Sequence, residues 1–239
     1  MNEPTGPVTI VIIAITALFS AAGFASPAFM ERYLFEPEMV LRYRQRYRLL
    51  SSGFLHANVA HLVINMFSLY SFGGSVESTA GAPTFVAIYF SSMLGGNLLS
   101  LALHRNQAYR ALGASGGVCG VVFASIFLIP GSSVYMLPIP VPIPSPVYAV
   151  LFIAISIFGI QSRRGNIGHD AHLGGAIIGL VVTTLLRPRI VTENLYLWML
   201  VMGVAAALFA YLYRSSRRGP GGLRVVRGDG DERGRGPWN

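Results

Sequence analysis

The 239-residue chain is 53% hydrophobic and only 12% charged, with a mean hydropathy of +0.55; a soluble domain carries about twice that share of charge. Its charges cluster at Glu31–Arg48 and Arg214–Arg235, leaving the region between them almost purely apolar. Despite a net charge of +8, this excludes a soluble enzyme, a disordered chain and a nucleic-acid-binding domain, and a lone Cys119 excludes a disulfide framework or a cysteine-rich metal site.

A membrane-spanning helix needs about 20 predominantly apolar residues, within a range of about 17–25. Candidate runs occupy residues 8–25, 55–75, 84–103, 113–130, 146–160, 171–187 and 195–213, which predicts an all-α polytopic membrane protein. The first run is not an ordinary signal peptide, because Met1 to Pro7 contains Glu3 and no basic residue. Between the first two runs, residues 26–54 interleave Tyr33, Leu34, Phe35, Leu41, Tyr43, Tyr47 and Leu49 with arginines, a composition suited to the membrane interface. Every basic residue is arginine, and anionic lipid headgroups are the favoured partner for these clusters over nucleic acid. The proline-rich stretch from Pro130 to Pro146 reads as a surface loop, because proline lacks a backbone donor. From Arg214 onward the Gly- and Arg-rich tail has little to bury and is expected to be disordered.

Polar residues inside membrane spans are costly and mark functional candidates. Span two carries His56, His61 and Asn65. At 100° per residue His61 and Asn65 share a face, whereas His56 is expected to lie off it, which disfavours a two-histidine metal site. Span four opens with Gly113-Ala114-Ser115-Gly116-Gly117, a serine with open space around it and free N–H groups at a helix start. Span six opens with His169-Asp170-Ala171-His172, followed by Gly174, Gly175 and Gly179. Gly175/Gly179 and Gly116/Gly120 are small-residue faces that permit close helix approach. Packing them together sets Ser115 and His172 at one depth, and both even-numbered spans begin on the same side. Packing glue between helices is the competing reading of these polar residues, and Cys119, one turn after Ser115, is a rival nucleophile.

Together these motifs resemble the rhomboid family of intramembrane serine proteases over roughly residues 8–187. The resemblance rests on His56-x4-His61-x3-Asn65, Gly113-Ala114-Ser115-Gly116 and Ala171-His172-x2-Gly175-x3-Gly179. Arg48 matches the arginine of the loop motif, and Glu77 the acidic residue that ends span two. It implies a rhomboid-like catalytic core over 1–187, an additional C-terminal helix over 195–213, and the tail over 214–239. It implies a Ser115–His172 dyad with His61, Asn65 and the Ser115 N–H as oxyanion donors. Gly113, Gly116, His56, Arg48, Glu77, Gly175 and Gly179 would be supporting residues. The implied substrate is a transmembrane segment of another protein, cut without metal or organic cofactor, in a multi-pass protein of the cell membrane. Tyr47 stands where the family usually has tryptophan, and Cys119 where it often has an aromatic ring. An inactive relative that binds membrane proteins, and a small transporter, are the alternative functions. The family orientation puts the N-terminus inside, whereas the arginine distribution favours the reverse.

Overall fold

A computed structural model describes residues 6–136, 139–162 and 168–217, and the chain divides into two units, residues 1–202 and 203–239. The first unit contains α1 (Pro7–Ala25), α2 (Pro27–Tyr33), α3 (Pro37–Leu41), α4 (Arg48–Ser51), a 3₁₀ turn (Ser52–Phe54), α5 (Val59–Ala80) and α6 (Ala82–His104). It continues with α7 (Ser115–Leu128), a two-stranded hairpin of β1 (Ser133–Met136) and β2 (Ile139–Pro144), α8 (Ser145–Ser162), α9 (His169–Leu186) and α10 (Arg189–Glu193). α11 (Leu195–Arg217) starts in the first unit and continues into the second. Helices α1, α5, α6 and α9 are long and apolar enough to cross a membrane, and α7, α8 and α11 contribute shorter apolar segments. The fold is all-α and polytopic, with one helix for each expected span.

The helices are built for lipid as solvent. The buried stripe of α1 is Thr9, Ile12, Thr16, Ser20 and Gly23, while Ile10, Val11 and Leu18 on its other faces are exposed. In water that arrangement would be inverted. In a bilayer the small and hydroxylated residues face neighbouring helices and the aliphatic ones face lipid. Glu77, near the end of α5, anchors the start of α1: its carboxylate accepts from the N–H of Val8 (3.0 Å), the N–H of Thr9 (2.8 Å) and the Thr9 hydroxyl (2.8 Å). A carboxylate there satisfies donors that the first helical turn cannot and meets the positive end of the helix dipole.

Helix α7 is the centre of the first unit. From Gly116 to Phe127 every residue except Cys119 is buried, as expected for a helix apolar on all sides. It packs against α5, α6 and α9, and α9 in turn packs against α6 and α8. Gly81, at φ +85°, joins α5 to α6 as a single residue in a conformation that side chains with a Cβ disfavour.

Three boundaries differ from expectation. α5 begins at Val59 rather than at residue 55, because the Asn58 side chain caps it, accepting from the N–H of His61 at 2.8 Å. The proline-rich stretch is not wholly loop: β1 pairs with β2 antiparallel, with Tyr135 opposite Pro142, since proline still accepts through its carbonyl on an edge strand. α11 runs to Arg217, four residues into the expected tail; the remainder of that tail, 218–239, lies outside the described residues.

Candidate active site

Ser115 is the first residue of α7 and is half-buried, as is Cys119 one turn later, so one face of an otherwise buried helix opens there. At 1.5 Å per residue the 14-residue helix is about 21 Å long, shorter than a hydrocarbon core of about 30 Å. A helix that short cannot reach both membrane surfaces, and non-helical backbone at membrane depth must line protein or a water-filled cavity.

The segment entering α7 is tied down on both sides. The Gly113 N–H donates to the Ser52 carbonyl (3.0 Å) and the Ala114 N–H to His56 Nε2 (3.3 Å). Gly113 has φ +132°, and a Cβ there would stand 2.8 Å from His61 Cε1, 3.1 Å from His61 Nε2 and 3.8 Å from Ser115 Oγ. The absent side chain thus leaves a gap bordered by both the His61 imidazole and the Ser115 hydroxyl.

His56 is the support beneath this gap. Because α5 starts late, His56 lies in an extended segment and is not carried off the His61 face, contrary to the helical-wheel expectation. The two rings meet edge-on with centroids 4.9 Å apart. The Ser20 hydroxyl donates to the Phe54 carbonyl (3.0 Å), so its 2.9 Å contact with His56 Nδ1 is an acceptance from Nδ1–H. With Nε2 accepting from Ala114, His56 is the neutral Nδ1–H tautomer. Burial, and next the neighbouring His61, lower its pKa to about 3. One turn after His61 in α5, the Asn65 side-chain amide donates to the His61 carbonyl at 3.0 Å and is almost wholly buried.

His172 lies in the first turn of α9, half-buried, with its N–H donating to Gly168. The preceding Ala171 carbonyl lies 3.4 Å from where a Cβ on Gly116 would stand. Cβ atoms on Gly175 and Gly179 would run into the backbones of Gly116 and Gly120 respectively. The glycine faces of α7 and α9 therefore meet, and Ser115 and His172 are each next to that contact. Asp170 is engaged elsewhere, by His104 Nε2 (3.1 Å) and the Tyr109 hydroxyl (3.4 Å).

Arg48 and Glu77 act away from this gap. Arg48 is buried, donating to the Glu31 and Leu34 carbonyls (2.8 and 2.7 Å) and to Gln45 Oε1 (2.6 Å), and so closes the first loop on itself. Ser20, Ser52, His104 and Tyr109 stand outside the sequence motifs that mark the site. Of these Ser20 had a signal, since it falls on the Thr9–Thr16–Ser20 polar stripe of span one. Among the described residues no three His, Cys, Asp or Glu side chains are grouped to hold a metal.

Residues 43–189 match the Rhomboid domain family. The chain is 30% identical over 158 residues to "RHOMBOID-like protein 12, mitochondrial" of Arabidopsis thaliana, covering 58% of this chain and 46% of the relative. It is 31% identical over 137 residues to "Rhomboid protein 1, mitochondrial" of Saccharomyces cerevisiae, covering 56% and 40%. It is also 34% identical over 154 residues to "Rhomboid-like protein 11, chloroplastic" of Arabidopsis thaliana, covering 59% and 52%. The chain thus spans about half or less of the length of these relatives. Their names overturn the expectation of a cell-membrane location, since they are assigned to mitochondria and chloroplasts; the multi-pass membrane character stands.

Proposed function

The chain belongs to the rhomboid family, and from that membership we propose that it is an intramembrane serine endopeptidase that cleaves transmembrane segments of other proteins. The observation that supports this reading is the contact of the α7 and α9 glycine faces, next to which Ser115 and His172 stand in sequence on their respective helices. In this reading residues 1–187 are the catalytic core, 195–213 an additional helix and 214–239 an appended tail. The membrane is of the organellar type for which the relatives are named.

His172 removes the Ser115 proton as Oγ attacks the scissile carbonyl, and the C–N bond then breaks as His172 returns that proton to the leaving amine. Water, activated by the same imidazole, hydrolyses the acyl-enzyme and regenerates both residues. The oxyanion is met by the N–H of Ser115 at the α7 N-terminus, His61 and Asn65. Asn65 spends one amide hydrogen on the His61 carbonyl and keeps the other for the oxyanion. Gly113 supplies the room, since any side chain there would occupy the space between His61 and Ser115. No step requires a metal or organic cofactor.

The test is incubation of the purified protein in detergent with a model transmembrane substrate. Cleavage is expected, with loss in both Ser115→Ala and His172→Ala and loss of serine-directed fluorophosphonate labelling in Ser115→Ala. Cleavage that persists in Ser115→Ala and disappears on alkylating Cys119 would overturn the assignment.

A further inference from the structure

Away from the candidate active site, a cavity of about 440 Å³ lies between the first loop and the C-terminal part of α6. Leu98 and Leu101 of α6, with Leu41 and Leu49 of the loop, give it an apolar lining, and the exposed Arg44 and Arg46 line it from the loop side. The neighbouring cations are occupied: Arg42 pairs with Glu38 (3.2 Å), Arg110 pairs with Glu31, and Arg48 is buried on backbone carbonyls. Among the described residues neither Arg44 nor Arg46 has an ion pair. Arg44 is also the described non-glycine residue at positive φ (+58°), a conformation unfavourable for a side chain with a Cβ. The turn is held by the Gln45 N–H on the Met39 carbonyl (3.0 Å) and the Arg46 N–H on the Arg44 carbonyl (2.8 Å). This turn holds both exposed guanidinium groups at the rim of an apolar groove, where they are open to pair with an anion.

We propose that this groove binds one anionic phospholipid, its phosphate held by Arg44 and Arg46 and one acyl chain laid on Leu98, Leu101 and Leu49. Guanidinium groups take phosphate oxygens two at a time, and the leucines accept what a free phosphate lacks. Interfacial position follows from the amphipathic composition of the loop itself. The site depends on the membrane character of the chain and not on its being a protease.

Native mass spectrometry of the purified full chain, titrated with phosphatidylglycerol or phosphatidylcholine, tests it. One phosphatidylglycerol is expected to be retained preferentially. Arg44→Gln and Arg46→Gln should each weaken it about fivefold, the worth of one arginine at an anionic surface, while Arg42→Gln changes little. Arg44→Gly separates binding from folding: glycine relieves the turn, so thermal stability should hold or rise while lipid retention falls. Glycerol phosphate, which has no acyl chain, should compete poorly. Equal retention of phosphatidylcholine, full competition by glycerol phosphate, or unchanged retention in Arg44→Gly and Arg46→Gln would each overturn the proposal.

Discussion

At the scale of single residues, the roles of His61, Asn65 and His56 separate by experiment. Loss of one preorganised oxyanion donor costs about 2.7–4 kcal/mol, or about 10²–10³ in turnover. Asn65→Ala and His61→Ala are therefore expected to cut cleavage by that order in protein that still folds. Near-normal turnover in both, and in the double variant, would reduce them to packing contacts. Cys119→Ala should keep most activity, because a thiol needs an electropositive, polar setting to ionise and the free N–H groups of α7 lie at Ser115. His56 gives a pH dependence of stability. Its folded pKa of about 3 lies below the unfolded value of about 6.5, so its stabilising contribution is complete above about pH 6.5 and declines as pH falls toward 3. The parent should therefore lose stability measurably between pH 7.5 and pH 5.5. Thermal unfolding of the parent and His56→Gln between pH 7.5 and 5.5 checks it; the variant should be less stable at pH 7.5 and lose less on acidification.

At the scale of elements, two contacts decide whether the helices hold the site. Valine at Gly175 or Gly179 would drive into the α7 backbone and push α9 away. A shift of about 1 Å can cost about 10²-fold in rate, so activity should fall further than the melting temperature implies. Full activity in Gly175→Val would show that α7 and α9 tolerate separation there. Glu77→Gln tests the α1 anchor. Three donors converge on its carboxylate, and charged hydrogen bonds contribute about 1.5–3 kcal/mol each, so the expected result is a marked drop in melting temperature. At this same scale the start of α5 carries a local signal that a hydropathy run hides. Asn58 is a recognisable N-cap, yet the apolar Leu55 lengthened the run, and hydropathy does not register caps. The proline-rich hairpin had no comparable signal, because strand pairing depends on a partner that local composition does not name.

For the whole molecule, low charge, segregated arginines and seven apolar runs already specify a polytopic helical protein, because lipid tolerates no unpaired backbone and runs of that length satisfy it as helices rather than as barrel strands. The spacing of glycines 116/120 and 175/179 likewise made the meeting of α7 and α9 readable before any fold was known, since small residues four apart have one common use in membranes. Long-range pairing was another matter. That Glu77 caps α1, that His56 holds the peptide before Ser115, that Asp170 serves His104 and Tyr109, and that Arg44 faces α6 across one groove each join segments tens of residues apart. Periodicity reports which face of a helix turns inward, because that face repeats along one chain segment. Which partner it meets there depends on how all the helices pack at once, and only the tertiary structure decided it.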